Sequence, residues 1–238
     1  MSGLNRRTVI VAGALIAMAL LPSPLCVPAA AQVAPNRAEL AAYAGLHRAA
    51  AGGDVAQIKA LLAEGADPNA RDAAGRTPLH VAAFGSRYDA VRALVAGGGN
   101  IDALENSRYD VVTIAAVKDD VRMVKLALEL GADPKLITSP YAGTALIAAA
   151  HLGHADVVRA LIAAKAPLDH VNNLGWTALI ESIVLGDGGR SHTDTLEALV
   201  EAGANVNLGD RGGQTPLKLA SGRGYASMVR ILKDAGAR

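Results

Sequence analysis

From residue 44 onward, apolar residues come in short bursts of helical spacing, separated by polar turns rich in Gly, Pro, Asn and Asp. The stretch "GRTPLHVAA", residues 75–83, shows the unit. Thr77 is suited to cap a helix, because its hydroxyl can accept from free N–H groups of the first turn. Pro78 suits the first helical position, where a missing N–H costs nothing. Leu79, Ala82 and Ala83 then line one face at helical spacing. The pattern predicts a helix start, with His80 near the cap, where a ring nitrogen can bond loop backbone.

The same start recurs. Thr77, Asp110, Thr144, Thr177 and Thr215 are separated by 33, 34, 33 and 38 residues. A second marker keeps the same period: Gly65, Gly98, Gly131, Lys165, Gly203 and Gly236 fall just after a second apolar burst, where a left-handed helix cap is expected. Leu46, Leu79, Val112, Leu146, Leu179 and Leu217 share one place in the first burst. Ile58, Val91, Val124, Val158, Leu196 and Val229 share one in the second. Turns such as "GADPNARD" and "GANVNLGD" follow each cap. A period of this length with two helices per unit marks a stacked repeat array.

With "GRTPLHVAA", "GHADVVRALI", "GADPN" and "GANVN" in register, the chain resembles the ankyrin-repeat family over about residues 44–238. The resemblance implies an all-α solenoid of six stacked helix-turn-helix repeats with hairpin-like loops: 44–76, 77–109, 110–143, 144–176, 177–214 and 215–238. Residues 32–43 form a capping segment, of which 36–43 are expected to lengthen the first helix. The resemblance also makes the Thr-Pro-Leu-His segment architectural, so His80 is expected to tie the helix start to neighbouring backbone. The extra residue of the third repeat is placed in the loop "KLITSPYAG". The five extra residues of the fifth are placed between its helices at 186–194, as a flexible insertion.

The N-terminus reads differently. Asn5-Arg6-Arg7 supplies charge, "VIVAGALIAMALL" is apolar, and small residues precede Gln32. This is the layout of a secretory signal spanning 1–31, cleaved after Ala31. It implies a periplasmic or secreted protein, by the general route or, through Arg6-Arg7, the twin-arginine route. Cleavage removes two of the 23 basic residues and none of the 22 acidic ones, leaving a net charge of −1. That balance gives no electrostatic case for nucleic acid or, after cleavage, for an anionic membrane. Cys26, the sole cysteine, would also be removed, so packing rather than disulfides must hold the fold. Aromatic residues make up only 3%, which suits thin helices packed closely in layers.

The chemistry-bearing groups are few. His151 and His154 form a His-x-x-His pair, but zinc needs three or four convergent ligands. Ser191, His192 and Asp194 include triad residue types, yet adjacent loop residues rarely form a triad. The expectation is a non-enzyme without cofactor or metal, a monomer that binds another protein of unknown identity. Carried over by register, the family's binding surface implies Val81, Phe84, Lys118, His151, Leu152, Glu181, Leu185 and Arg223 on inner helices. On loops it implies Arg71, Leu104, Arg108, Tyr109, Ile137, Tyr141, Asn173, Trp176 and Arg211. Two roles fit: an immunity-like inhibitor of an exported toxin, or an accessory to periplasmic catalase function and peroxide resistance. A hydrolase using residues 186–194 is the alternative from a different class.

Overall fold

A computed structural model describes residues 34–238; the expected signal segment 1–31 lies outside the described residues. Among the described residues there are thirteen helices and no β-strand, only an isolated bridge between Thr138 and Gly143. A short helix α1 (Arg37–Ala42) precedes six helix pairs. The first, inner helices are α2 (Gly45–Gly52), α4 (Pro78–Phe84), α6 (Val111–Val117), α8 (Ala145–Leu152), α10 (Ala178–Val184) and α12 (Pro216–Gly222). The second, outer helices are α3 (Val55–Ala63), α5 (Tyr88–Ala96), α7 (Val121–Glu129), α9 (Ala155–Ala163), α11 (Arg190–Glu201) and α13 (Ala226–Asp234). Each inner helix packs on its own outer helix and on the inner helices of its neighbours, and the outer helices stack likewise except between α5 and α7, which stand apart. None of these helices is long and apolar enough to cross a membrane.

Close stacking needs small side chains where helices cross. Ala49 and Ala50, Ala82 and Ala83, Ala115 and Ala116, Ala149 and Ala150 fill the same two register positions, and all are buried. Larger anchors such as Leu79, Leu146, Leu179, Ile58, Val91 and Val158 are also fully buried. Each stabilises the stack by about 1.5–3 kcal/mol relative to exposure. No repeat could bury these faces alone. Repeat five departs from the pattern with Ser182 and Ile183, both fully buried, and Ser182 satisfies its hydroxyl on Leu179 O at 2.8 Å.

The ends of the helices match the markers read from the sequence. Thr77, Asp110, Thr144, Thr177 and Thr215 are the N-caps of α4, α6, α8, α10 and α12. Gly65, Gly98, Gly131, Lys165, Gly203 and Gly236 all have positive φ, between 64° and 96°. Lys165 adopts this conformation although it carries a Cβ, which makes it the strained member of the set.

Asp110 is the one acidic cap in the set and is buried. Its carboxylate accepts from Thr113 N–H at 2.9 Å, but burial outweighs that bond and pushes its pKa up. A raised carboxyl favours folding when protonated and opposes it once ionised. Its contribution is therefore present below the unfolded-state pKa and lost as pH rises through the folded one. Asp110→Asn keeps the acceptor and removes the charge. It is expected to stabilise the protein by about 0.5–2 kcal/mol at pH 7, read as a raised urea midpoint; a lowered midpoint would refute the account.

Two expectations are corrected. Residues 36–43 do not lengthen the first helix. They form the separate α1, capped by Asn36 and Glu39 in a reciprocal box, and Tyr43 and Ala44 are extended between α1 and α2. Residues 186–194 are not a flexible insertion. From Arg190 onward they are the first turns of α11, which has 12 residues where the other outer helices have nine. The turn before it is pinned to repeat six: Tyr225 OH donates to Gly186 O at 2.8 Å. The Tyr225 ring lies so close to Gly188, at φ +70°, that a Cβ there would stand 2.3 Å from it. The extra residue of repeat three does fall in the loop, between Thr138 and Gly143.

Candidate functional site

The hairpin tips are built alike. Within each, one backbone N–H closes onto a carbonyl: Asp72 to Arg76, Glu105 to Tyr109, Thr138 to Gly143, Asn172 to Trp176 and Asp210 to Gln214. In four of them a side-chain oxygen at the turn, from Asp72, Ser139, Asn172 or Asp210, accepts two backbone N–H groups inside the turn. Neighbouring tips are then joined, by Asn106 N–H to Ala74 O, Ser139 N–H to Arg108 O and Asn173 N–H to Tyr141 O. The middle tips thus form one connected edge.

The opposite ends of the inner helices are joined by a different device. At every repeat junction a basic or histidine side chain donates to a carbonyl at the C-terminal end of the preceding inner helix. Arg87 reaches Ala51 O, Lys118 reaches Ala83 O, His154 reaches Ala116 O, His192 reaches His151 O and Arg223 reaches Val184 O, all at 2.9–3.3 Å. These are the carbonyls a helix leaves unpaired, and the end that attracts positive charge.

The histidines follow the same logic. His47 donates to Arg76 O at 2.9 Å, His80 meets Tyr109 O at 3.1 Å, and His170 meets Ala142 O at 2.7 Å. A carbonyl only accepts, so each of these ring nitrogens carries a proton. In His80, Nδ1 accepts from Thr77 N–H at 3.0 Å, which fixes the Nε2–H tautomer. Burial pushes its pKa down to about 4. His151 and His154 turn to different partners, Glu181 and Ala116 O. No group of three or more potential metal ligands occurs among the described residues. Ser191, His192 and Asp194 do not assemble a triad, because the His192 ring bonds Asp187 and His151 O.

The implied binding residues divide by burial. Val81, Tyr109 and Glu181 are only 2%, 6% and 4% exposed, so they are interior residues and not a contact surface. The hairpins and neighbouring inner helices cover that place in the register. Phe84, Tyr141, His151 and Trp176 are half-buried, while Arg108, Lys118, Leu152, Leu185, Arg211 and Arg223 are exposed. Lys118 and Arg223 are also committed to the helix-end carbonyls. Arg71 donates to Gly75 O and Leu104 O within the tips.

Beside the exposed Arg108 and Arg211, the open apolar residues are aliphatic. Leu152 and Leu185 end the inner helices of repeats four and five at equivalent positions, 39% and 37% exposed. On the tips Ile137 and Val171 are equivalent, 44% and 46% exposed, with Leu174 beside them at 36%. Val171 and Leu174 were not anticipated. The signal for Val171 is the register Arg71, Leu104, Ile137, Val171; Leu174 lies three residues beyond it and outside that register. On the other side an open groove of about 400 Å³ lies between α5 and α7. Arg92 lines it, and Arg122 stacks 4.1 Å above the Tyr88 ring.

The family model for ankyrin repeats in three copies matches residues 46–138 and 112–210. The chain belongs to the ankyrin-repeat family. It is 34% identical to the ankyrin repeat protein YahD of Escherichia coli K12, over 79% of this chain and 94% of that protein. An ankyrin repeat domain from Acinetobacter baumannii superimposes with a TM-score of 0.77 at 41% identity, over 81% of this chain and 98% of that one. A chain from the complex of the predatory endopeptidase Bd0816 of Bdellovibrio bacteriovorus with immunity protein Bd3460 matches with a TM-score of 0.67 at 26% identity. That match covers 81% of this chain and 98% of that one. Ankyrin-repeat proteins are generally non-catalytic scaffolds for protein interaction, and none of these matches indicates a catalytic family.

Proposed function

We propose that this ankyrin-repeat protein is exported, begins at Gln32 after cleavage, and captures another protein in the periplasm or outside the cell. The contact runs over the inner-helix ends and hairpin tips of the middle repeats. One observation carries this reading: Leu152 with Leu185, and Ile137 with Val171, keep aliphatic side chains exposed at equivalent positions in adjacent repeats. Clustered exposed apolar residues of this kind mark interaction sites, and single scattered ones do not. The likeness to a chain from an endopeptidase–immunity protein complex favours an inhibitor of an exported enzyme as the specific role.

The experiment is a crosslinked pull-down from the periplasm of the source organism, followed by capture assays with the isolated partner. Leu152→Ala and Leu185→Ala are each expected to weaken capture tenfold or more, about 1.4 kcal/mol, with unchanged melting. Arg159→Ala on α9 is the control, preferred to Arg92, which lines the outer groove. Loss of capture in the control with retention in both leucine variants would assign the binding face to the other side. The intact mass of the exported protein checks cleavage before Gln32.

A further inference from the structure

Of the six histidines, His192 is the one whose two ring nitrogens both face groups that only accept. Its Nε2 lies 3.1 Å from the carbonyl of His151, at the end of α8. Its Nδ1 lies 3.1 Å from Oδ1 of Asp187, in the turn before α11. The same carboxylate oxygen accepts from Gly189 N–H at 2.8 Å, and the Gly189 and His192 bonds hold the Asp187 pKa below the ordinary range. Asp187 is therefore ionised and has no proton to give. A neutral imidazole carries one N–H and can satisfy one of these partners. Satisfying both takes the doubly protonated ring. The other histidines make no such demand. His47, His154 and His170 each meet one carbonyl, His151 meets one carboxylate, and His80 pairs a carbonyl with a backbone N–H.

The His192 ring is set in a slot and its side chain is 15% exposed. A Cβ on Gly153 would stand 3.3 Å from it, and one on Gly186 would stand 2.8 Å from it, so the ring lies between the ends of α8 and α10. Helix C-termini attract positive charge. The junction of the first two repeats fills the matching slot with a permanent cation. Arg87 lies against Gly53 and Gly85, where a Cβ would stand 3.0 and 3.2 Å from its side chain, and its Nε donates to Ala51 O at 3.1 Å. Ala51 and Gly53 hold the register positions of His151 and Gly153. A titratable ring thus stands where an equivalent junction has a guanidinium.

The other charges on the packed elements are committed elsewhere or exposed. Glu181 of α10 pairs with the His151 side chain of α8 at 3.2 Å, Arg190 with Asp194 on α11 at 3.5 Å, and Asp156 with Arg159 on α9 at 3.1 Å. His154 donates to Ala116 O and Arg223 to Val184 O. Glu197 and Glu201 of α11 are exposed, as are Arg230, Lys233 and Asp234 of α13. Asp187 is the charge that meets the ring. When the ring loses one proton, one of its two bonds opens. Releasing the His151 carbonyl would leave a backbone acceptor unpaired beneath the ring, which is costly. The Asp187 side chain is 79% exposed, so water can replace its partner. The neutral ring therefore keeps Nε2–H on the carbonyl and turns the Nδ1 lone pair toward a carboxylate, which repels it. Gly186 stays held by Tyr225 OH at 2.8 Å, so the part set free is residues 187–189.

We propose that His192 and Asp187 form a proton-operated latch: the cationic ring straps the 187–189 turn to the end of α8, and loss of one proton as pH rises releases it. The strap follows Leu185 by one residue, and the His151 carbonyl adjoins Leu152. The end of the array that carries the exposed leucines thereby responds to the pH of its surroundings. The latch stands on the geometry of this junction and does not depend on the proposed function.

The test is NMR on the full chain at about pH 5.5 and about pH 8.5, either side of the ordinary imidazole range. Ring nitrogen shifts read the protonation of His192, and amide exchange reads the strap. Both ring nitrogens should carry protons at the lower pH, and Nδ1 alone should lose its proton at the higher. Protection of the Gly189 and Thr193 amides, corrected for intrinsic exchange, should fall by about fivefold or more between the two. Protection of Val91 in α5 should not change. His192→Arg, which copies Arg87, should keep the strap protected at both pH values. Asp187→Ala should leave it unprotected at both while Nε2 keeps its proton. Loss of the proton from Nε2 instead of Nδ1, or equal protection of the strap at both pH values, overturns the latch. An equal fall in His192→Arg also overturns it, because the response would then belong to another group such as His151.

Discussion

Arg76→Met is expected to remove about 3–5 kcal/mol of stability, the usual cost of breaking a buried ion pair from one side. The Arg76 side chain is 2% exposed. Its Nε donates to Asp72 Oδ2 at 2.7 Å, and an Nη group donates to Glu39 Oε1 at 2.6 Å. Tyr43 OH donates to the same Asp72 oxygen at 2.7 Å. The Asp72 carboxyl is pushed up by burial, but its bonds with Tyr43 and Arg76 outweigh this and hold it below the ordinary range. Removing the guanidinium leaves Asp72 charged among backbone N–H groups and one phenol. Methionine fills the volume, so the loss reports on charge and not on a cavity.

The network joins α1 to the first hairpin, and the damage should be local. Repeat arrays unfold as coupled neighbours. Hydrogen exchange should therefore show α1 to α3 opening first, with the middle repeats protected until later. Glu39→Gln should cost far less than Arg76→Met, because the Glu39 side chain is 35% exposed and its pairing is screened by solvent. A loss below about 1 kcal/mol for Arg76→Met, or uniform weakening across all repeats, would count against this account.

Acid should destabilise the protein through His80. Its folded pKa is lowered to about 4 by burial, against an unfolded value near 6.5. The unfolded state then binds more protons between these values, so stability falls as pH falls. The contribution is complete above about pH 6.5, is lost down to about pH 4, and levels off below that. The lost stability is about 3 kcal/mol, at roughly 1.4 kcal/mol for each pKa unit. Carboxylates held by native bonds, such as Asp72, also begin to lose their contribution near the acid end of this range, as their unfolded forms take up protons, so the measurement is a difference. Urea midpoints from pH 4 to pH 7 are compared for the native chain and His80→Thr, the residue that Thr113 supplies at the equivalent place. The slope of the variant should be shallower by about one proton across that window. Parallel slopes would mean that His80 stays neutral in both states or charges in both.

The architecture was legible because its rules are local. A helix start needs a short side chain that accepts hydrogen bonds, and its end needs a residue tolerant of left-handed geometry. Thr77, Thr144, Thr177, Gly98 and Gly203 therefore announce themselves at fixed spacing. Even Lys165 was placed correctly, by register alone, in a conformation that its own chemistry disfavours. The periodic burial of Ala49, Ala82, Ala115 and Ala149 follows from the same register, since a repeat that stacks must be thin at every crossing.

The proposed binding face was only partly legible. Register equivalence says that two residues share a direction, not how deeply the neighbouring repeat covers them. Val81 and Glu181 share a place in the register and both are buried, whereas Leu152 and Leu185 share another and both remain open. Tyr109, a plausible loop-tip aromatic, is covered as well. Residues 186–194 read as a flexible loop because Gly186, Gly188 and Gly189 dominate the local composition. The structure makes most of that segment helix, because Tyr225 of the following repeat fixes the turn before it. The sequence by itself determined the family, the spacing of the helix starts and ends, and the capping chemistry, all set by residues close in the chain. Tertiary structure alone decided which side chains remain in contact with water, because burial in a stack depends on the repeat next door.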